Sequence, residues 1–472
     1  MSASRPSGET TLAAAASGPG PGSLSTRIAG AARETVAGLP RAFWWLWTST
    51  LINRLGGFVT VFLALYLTVD RGYSAAYAGL VGALYGLGGT GGALLGGVLA
   101  DRWGRRSTML AAQLGTAVAT AALGIVRGPV AIAAVACAVG VASNTSRPAA
   151  QAMMADVVPA RDRVRAFSLN YWAINIGFGV SAAGAGVIAA HGYLLLFLLD
   201  ALTTALCAVV VFVRVPESMP STAVSGKAVE APGSLVDVLR DRRFMALVGI
   251  TFLLGTVMQQ GTTTLAVSMG RAGLTPSQYG LVVGLNGLLI VIFQIPLTRL
   301  TRGRGRTGLL VAAALLLGWG FGLTAFAASA GVYTLTVVVW TVGEMLQAPT
   351  STAVVTEMSP TRARGRYQGM YTLAWSAASF VGPLAGGVAL QAWGGAMWLA
   401  CGGVGTVAAL GYWLLLRARG DRPRDPGHRD PACPDLRDPG RSGHRDPARP
   451  AAPSRPAAYA SPSGPDVPSP VR

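Results

Sequence analysis

Charged residues are scarce in this chain of 472 residues: they make up 12% of the sequence, whereas hydrophobic residues make up 51%. A soluble globular domain carries roughly 25% charged residues. The charges that are present lie between long apolar runs and in the two tails of the chain. A hydrocarbon solvent selects this distribution, because burying a charge there is costly. The composition therefore excludes an ordinary soluble domain.

Histidine and cysteine are also rare, and neither forms a cluster along the chain. The histidines are His191, His428 and His444, and the cysteines are Cys137, Cys207, Cys401 and Cys433. Three of the cysteines lie inside apolar runs, where cysteine behaves as a small hydrophobic residue. Because no metal-ligand spacing and no nucleophile–base pair is visible, we predict a protein that is not an enzyme and that holds no metal and no cofactor.

Acidic residues are outnumbered, and the formal net charge is +18. The basic residues lie in short loops and in a Pro-rich tail, with no soluble domain to present them to a nucleic acid. Arginine supplies nearly all of this charge, since Lys227 is the only lysine. Basic loops that face the cytosol explain the excess, so we predict no nucleic-acid partner.

Long apolar runs are abundant in the chain. A helix of about 20 residues crosses the hydrocarbon core, so twelve of these runs predict membrane-spanning helices. The first run starts too deep and is too long for a cleaved signal peptide. The predicted spans are residues 43–68, 76–99, 107–126, 129–157, 166–189, 192–213, 244–268, 278–298, 307–327, 332–357, 367–390 and 395–416.

The charge of the loops predicts the orientation. The loops after the second, fourth, eighth and tenth spans contain Arg102, Arg105, Arg106, Arg161, Arg163, Arg165, Arg302, Arg304, Arg306, Arg362, Arg364 and Arg366. The opposite loops contain only Arg71, Arg127 and Arg271. The positive-inside rule then places both termini in the cytosol of a multi-pass membrane protein.

The spans divide the chain into five predicted segments. They are a disordered N-terminal segment (1–40), a first six-helix bundle (41–213), a cytosolic linker (214–243), a second six-helix bundle (244–416) and a disordered tail rich in Arg, Pro and Asp (417–472). The tail repeats Gly-His-Arg-Asp-Pro-Ala at 427–432 and 443–448. Such a segment cannot bury apolar surface.

The two predicted bundles repeat one another at a constant offset of 201 residues. The matched landmarks are Gly79 with Gly280, Gly86 with Gly287, Gly104 with Gly305, Arg105 with Arg306, Pro148 with Pro349, Asp156 with Glu357, Pro159 with Pro360, Arg161 with Arg362, Arg163 with Arg364, Arg165 with Arg366, and Gly186 with Gly387. One register without gaps indicates a duplication, and two repeated six-helix halves are an arrangement of secondary transporters.

The loop between the second and third spans carries a specific motif. It reads Gly97-Val-Leu-Ala-Asp101-Arg102-Trp-Gly104-Arg105-Arg106. This loop resembles the signature of the major facilitator superfamily at every defined position. With the repeat, the resemblance covers residues 43–416. It implies an all-α integral membrane protein with twelve transmembrane helices in two pseudo-symmetric six-helix bundles.

The residue types in this loop also have a physical interpretation. Gly97 suits a close approach of two helices, and Gly104 suits a tight turn. Asp101 is an acid at a helix end, where it can face the N-terminal dipole of a neighbouring helix, and Arg105 can pair with Asp156. The resemblance implies that this cluster latches the halves on the inside. Because Arg302 stands where Asp101 would map, we expect a one-sided latch; simple anchoring by the arginines is the alternative.

A second motif, Gly382-Pro383-Leu-Ala-Gly386-Gly387, lies in the eleventh span. It resembles a Gly-Pro-x-x-Gly-Gly motif that drug antiporters usually carry in the fifth span. Both this motif and its degenerate counterpart at 181–186 suit close helix packing at the seam between the halves. Drug antiporters often carry an arginine early in the fourth span. In this chain the corresponding position falls at about Cys137.

Polar residues near mid-membrane are candidates for the substrate cavity, because polar groups are costly there. They are Asn53, Arg54, Asn144, Arg147, Gln151, Gln259, Gln260, Trp340 and Gln347. The resemblance implies that their helices line a central cavity; structural hydrogen bonds between helices are the alternative. We interpret Asp200 as a residue with a structural bond or partial hydration, and Asn286, Gln294 and Pro296 as packing or kink features.

Glu344 is our candidate for proton coupling, because it is the acid that the spans place near mid-membrane on a presumed cavity helix. Burial of a carboxyl in apolar surroundings disfavours its charged form, so such a group can bind a proton in one state and release it in another. The alternative is a fixed bond between Glu344 and a buried arginine.

The run Ile52-Asn53-Arg54 and the following Leu63-Ala-Leu-Tyr66 resemble bacterial multidrug-type exporters. The resemblance implies proton-coupled export of amphipathic organic compounds across a bacterial inner membrane, by alternating access. We expect a monomer whose partners are a small-molecule substrate, a proton and membrane lipid. Transport of a metabolite such as a sugar, amino acid or organic anion is one alternative. A non-transporting membrane sensor or scaffold is another.

Overall fold

The computed structural model describes residues 38–217, 235–360 and 363–417, and across these ranges it contains helices and no β-strand. Twelve long helical segments follow one another in these ranges. They are α1 (Arg41–Asp70), α2 (Ala75–Trp103), α3 (Arg105–Ile125), α4 (Pro129–Val157), α5 (Arg163–Ala189), α6 (Tyr193–Arg214), α7 (Arg242–Arg271), α8 (Pro276–Leu300), α9 (Arg306–Phe326), α10 (Ala330–Met358), α11 (Arg364–Trp393) and α12 (Met397–Arg417). The predicted disordered segments fall almost wholly outside the described residues.

These segments have the length that a bilayer requires. Among the described residues, ten helical stretches are long and apolar enough to cross a membrane, and one of these, Arg366–Arg417, contains both α11 and α12. The remaining segment, α10, has 29 residues and carries Glu344 and Gln347 in its middle. The predicted linker also contains a short helix, Leu235–Arg240, that the sequence did not indicate.

α1 and α7 are each broken near their middle. The α-helix Arg41–Leu55 ends at Gly56, and a second α-helix starts at Val59. The backbone N–H of Val59 donates to the Asp200 carboxylate at 3.0 Å, so the acid of α6 holds the restarted helix. In α7 the corresponding break is the 3₁₀ turn Gln259–Gly261. The structural role predicted for Asp200 is therefore confirmed.

Two seams join the first six helices, which we call the first half, to the last six, the second half. α2 packs against α11, and α5 packs against α8. A Cβ atom on Gly79 would lie 2.9 Å from the Gly387 α-carbon, and one on Gly280 would lie 3.3 Å from the Gly186 α-carbon. These are the glycines matched at the offset of 201, so the repeat in the sequence corresponds to two equivalent contacts between the halves.

The hydrophobic core is shared at one end of the bundle and divided at the other. We call the end with the arginine loops the basic end and the opposite one the closed end. At the closed end a single core joins both halves, with Phe62 of α1 against Tyr279 of α8 at a ring-centroid distance of 5.2 Å. The Tyr279 hydroxyl also donates to the Val61 carbonyl at 3.0 Å.

At the basic end each half has a core of its own. One core contains Phe43, Met153 and Leu169 of the first half, and the other contains Phe244 and Tyr412 of the second half. The two cores share no residue within the described ranges. The halves therefore meet at the closed end and are separate at the basic end, which leaves the interface between them open there.

Candidate functional site: signature loop and central cavity

Gly104 makes the signature loop possible. It is the single residue between α2 and α3, and its φ of 90° lies in the region that favours glycine. A Cβ atom there would also lie 2.7 Å from the Glu217 carboxylate. The predicted tight turn at Gly104 is confirmed.

Glu217 is a member of this site that sequence reasoning missed. Its carboxylate accepts hydrogen bonds from the backbone N–H groups of Arg106 and Ser107, at 3.0 and 3.2 Å, and so satisfies the first turn of α3. The Arg106 guanidinium lies over the Phe212 ring, 5.0 Å from its centroid, and donates to the Phe212 carbonyl. An acid just after the sixth span was the available signal, because carboxylates favour helix N-termini.

The predicted pair of Arg105 and Asp156 forms an ion pair between α3 and α4. An equivalent pair joins Arg306 of α9 and Glu357 of α10, the residues matched at the offset of 201. Our expectation of a one-sided latch is therefore wrong for this pair. The replacement of an acid by Arg302 removes a different element and leaves the arginine–carboxylate pair in both halves.

Gly97 and Asp101 do not make the contacts that the sequence analysis assigned to them. A Cβ atom on Gly97 would meet no atom within 4 Å, so the close helix approach assigned to it is wrong. The neighbouring Gly96 makes that approach, against the backbone of Thr145 in α4. Asp101 and Arg102 are exposed, and the Asp101 side chain bonds to no residue in the described ranges. The predicted latch contact of Asp101 is thus not made in this open arrangement.

The Gly-Pro-x-x-Gly-Gly strip of α11 packs on two helices at once. Gly387 and the Pro383 carbonyl lie against Gly79 of α2, across the seam. On its other face, a Cβ atom on Gly382 would lie 2.7 Å from that of Gln259 in α7. Gly386 lies against the Gln260 amide. The strip thus makes close helix contacts of the kind expected from its small residues.

Five of the predicted cavity residues lie on the first half, and none of the five is fully buried. Arg54 and Asn53 are half-buried near the break in α1, and Arg147 and Gln151 are exposed one turn apart on α4. In the described ranges the side chains of Arg54 and Arg147 form no hydrogen bond and no ion pair with another residue.

Asn144 of α4 is half-buried and lies against α2. Its amide nitrogen donates to the Gly140 carbonyl at 3.0 Å, and a Cβ atom on Gly89 of α2 would lie 2.7 Å from it. Asn144 therefore packs between α2 and α4.

On α7 the two glutamines also serve packing. Gln260 is buried; its amide nitrogen donates to the carbonyls of Thr256 and Gly382 at 2.8 and 2.9 Å, and its oxygen accepts from the Thr264 hydroxyl at 2.5 Å. It thus satisfies the backbone at the break in α7 and ties it to α11. Gln259 is half-buried against Gly382. The cavity assignment is wrong for Gln260.

On α10, Trp340 and Gln347 point into the interior of the second half. Trp340 stacks on Phe321 of α9 with ring centroids 5.1 Å apart, and Phe321 in turn stacks on Trp398 of α12 at 6.2 Å. Gln347 is 2% exposed and lies beside the Tyr412 hydroxyl of α12. In this arrangement both side chains are buried in contacts between helices and are closed to a cavity.

Glu344 differs from its neighbours on α10. It is half-buried, and its carboxylate accepts a hydrogen bond of 2.9 Å from the Asn286 amide of α8. The same amide nitrogen lies 3.1 Å from the Thr341 hydroxyl. Tyr171 of α5 lies within electrostatic range of Glu344 from the other half. The fixed arginine partner that we considered for Glu344 is absent from the described residues, and Asn286 is a buried contact between α8 and α10, as a packing residue would be.

The sequence matches a known family along most of its length. The model of the Major Facilitator Superfamily matches residues 46–380 and also residues 272–461. The chain belongs to the Major Facilitator Superfamily. The predicted family and fold class are thereby confirmed, and the chain is a multi-pass membrane transporter rather than an enzyme.

Curated relatives of this superfamily chain align along most of its length. The uncharacterized MFS-type transporter YttB of Bacillus subtilis is 28% identical over 373 residues, which is 75% of this chain and 90% of that protein. The Na(+), Li(+), K(+)/H(+) antiporter of Planococcus maritimus is 22% identical over 75% of this chain and 92% of its own. The multidrug resistance protein MdtH of Aeromonas salmonicida is 24% identical over 78% and 93%.

Solved structures share the fold. The crystal structure of the nucleoside transporter NupG superposes with a TM-score of 0.68 at 15% identity, and covers 80% of this chain and all of its own.

In the present superfamily member, α5 lies near both Arg54 of the first half and Glu344 of the second. Gly177 of α5 packs against the Arg54 side chain of α1. Tyr171 of α5 lies within electrostatic range of Glu344.

Proposed function

We propose that this chain is a proton-coupled exporter of amphipathic organic compounds that works by alternating access. The observation that carries the proposal is the position of Glu344. Glu344 of α10 bonds to Asn286 of α8, the helix that packs on α5 across the contact between the halves, and Tyr171 of α5 lies within its electrostatic range. This contact must change during transport.

The coupling step follows from this position. The Asn286 amide stabilises the charged carboxylate, whereas the apolar helices around it favour the protonated form. Gly287, the next residue on α8, packs against the Asn175 carbonyl of α5. A movement of α5 along α8 therefore changes the surroundings of Glu344, and loading Glu344 with a proton changes which arrangement is favoured, because such linkage acts in both directions.

The open end supports loading from the cytosol. The halves separate at the basic end, and the positive-inside rule places basic loops in the cytosol. An exporter binds its cargo on that side, then closes the basic end and opens the other. The names of two relatives, an antiporter and a multidrug resistance protein, support proton exchange and an organic cargo.

The test is flux into vesicles of the purified full-length protein. A pH gradient is imposed, and accumulation is measured for lipophilic cations, neutral drugs and organic anions, with and without a protonophore. The proposal requires that at least one compound accumulates in a gradient-dependent way and that Glu344→Gln abolishes this accumulation. A protein that moves none of them, and whose membrane-embedded charges are dispensable in cells, is a sensor or scaffold.

A further inference from the structure

Two arginines of the first half, on α1 and α4, have no counter-ion among the described residues. Arg54 is half-buried on α1 and Arg147 is exposed on α4. The ion pairs in the described ranges join Arg105 with Asp156, Arg306 with Glu357, and Arg161 and Arg165 with Asp162. Neither Arg54 nor Arg147 takes part in them.

These two cations act on each other. Arg54 lies within electrostatic range of Arg147 on α4 and of Tyr85 on α2, so side chains of three helices lie near one another here. The Tyr85 hydroxyl lies 3.4 Å from that of Ser143. Cations repel at such a place and are costly to bury in a protein that spans a membrane, unless an anion or water completes their environment.

The arrangement also fixes the position of Arg54. A Cβ atom on Gly177 would collide with the Arg54 side chain, so only glycine lets α5 pack this closely on the arginine stem. A guanidinium held in this way presents several N–H donors in a plane, which matches a carboxylate or sulfonate. On α5, which packs on Arg54 at Gly177, Tyr171 is 40% exposed and offers an aromatic side chain to an apolar group.

We infer that the cargo is an amphipathic organic anion, whose carboxylate or sulfonate binds between Arg54 and Arg147 and whose apolar body lies along α5. This inference rests on the transport function proposed above and narrows its substrate class. It excludes lipophilic cations as the principal cargo, because they would meet two uncompensated positive charges. It also separates the roles of the halves: the first binds the anion, and the second carries the proton on Glu344.

The binding site can be tested without knowing the cargo. In the full-length chain, Cys137, Cys207, Cys401 and Cys433 are replaced by serine and Gln151→Cys is introduced, one turn from Arg147 on α4. Labelling rates are measured with anionic sulfonatoethyl methanethiosulfonate and cationic trimethylammonioethyl methanethiosulfonate. Relative to a free thiol in solution, the anionic reagent should be favoured by about tenfold, given two uncompensated charges at short range.

The variants decide whether the two arginines cause this preference. Arg54→Gln and Arg147→Gln should each lower the ratio several-fold, Arg147→Lys should retain it, and Arg299→Gln, an exposed charge in the last turn of α8, should leave it unchanged. A ratio equal to that of the free thiol, or one that the Arg54 and Arg147 variants do not change, overturns the inference.

Flux in vesicles separates this inference from the proposed function. Proton-driven accumulation of an organic anion that both Gln variants impair supports the two together. Proton-driven accumulation of a lipophilic cation but of no anion overturns the inference and leaves the transport function standing. If no compound accumulates, the transport function falls, while the labelling ratio still decides whether the anion site exists.

Discussion

The Asn286 amide donates a hydrogen bond of 2.9 Å to the Glu344 carboxylate, from α8 to α10. The bond lies next to the seam of α5 and α8, because Gly287 packs on α5 immediately after Asn286. Glu344 of α10 is thus held by a neutral partner on α8, a helix that forms the contact between the halves. A neutral partner leaves the acid free to gain and lose a proton, whereas a buried arginine would hold it charged.

Glu344→Gln should abolish proton-driven accumulation and retain substrate binding, since an amide keeps the size and the hydrogen bond but cannot carry a proton. Counterflow exchange in vesicles without a pH gradient should persist within about an order of magnitude of wild type, because exchange does not need the proton step. Unchanged, pH-dependent accumulation by this variant would remove Glu344 from coupling.

Asp200→Asn is the matched control, since it makes the same acid-to-amide change at a buried acid on α6. The amide oxygen of the substituted side chain would still accept from the Val59 N–H, so gradient-driven accumulation should remain. Asp200→Leu removes the acceptor at the break in α1. The unsatisfied N–H should cost about 1–3 kcal/mol of folding free energy and so lower the yield of folded protein. Loss of coupling in a well-folded Asp200→Asn variant would contradict this assignment.

Gly79→Ala should destabilise the closed end. The added methyl group would lie 2.9 Å from the Gly387 α-carbon and closer still to the Pro383 carbonyl, and both are backbone atoms that cannot turn away. We expect a cost of about 1–3 kcal/mol, seen as a lower melting temperature in detergent and slower transport. Gly91→Ala on the same helix, where a Cβ atom meets nothing within 4 Å, should be silent. Equal effects of the two substitutions would show that the seam is not limiting.

Asp101→Asn should leave the stability of this open arrangement unchanged, because the side chain is exposed and bonds to no described residue. If Asp101 acts only when the basic end closes, the variant should still insert and bind cargo while its transport rate falls by about tenfold or more. Thermal stability in detergent and flux in vesicles are measured on the same preparation. A variant that unfolds, or one that transports normally, would each count against the latch.

The two arginine–carboxylate pairs should be comparable in effect. Asp156→Asn breaks the pair with Arg105, and Glu357→Gln breaks the pair with Arg306. Each carboxylate is more than a third exposed, so each loss should cost only about 0–1 kcal/mol of stability. Transport should fall in both variants if the basic ends of both halves must pack during closure. A loss confined to Asp156→Asn would restore the one-sided latch for this pair.

The repeat was the part of the fold that the sequence predicted best. Glycine is identified by type alone, and the offset of 201 paired Gly79 with Gly280 and Gly186 with Gly387 before any contact was known. The same offset predicts the second ion pair. Our expectation of one-sidedness gave too much weight to Arg302, which lies in another part of the loop.

The direction of polar side chains on a helix was harder to predict. In a soluble helix, apolar periodicity marks the buried face. In a membrane helix the lipid-facing and buried faces are both apolar, so the spacing of Trp340, Glu344 and Gln347 indicates one broad face but not its neighbour. Only Glu344 reaches the seam, whereas Trp340 stacks on Phe321 and Gln347 lies beside Tyr412. The bond between Asn286 and Glu344 was missed for the same reason, since nothing in the sequence pairs the two residues.

The shared core at the closed end has a thermodynamic consequence. To open that end, Phe62 and Tyr279 must separate and meet water, as apolar groups do when a protein unfolds. Exposure of apolar surface raises the heat capacity. Where opening this end exposes more apolar surface than closure of the basic end buries, the equilibrium between the two orientations is curved in temperature, and the fraction of molecules open at the closed end rises both on strong cooling and on strong heating. Transport by this chain would then have a temperature optimum set by its conformational balance, well below the temperature at which the bundle itself melts.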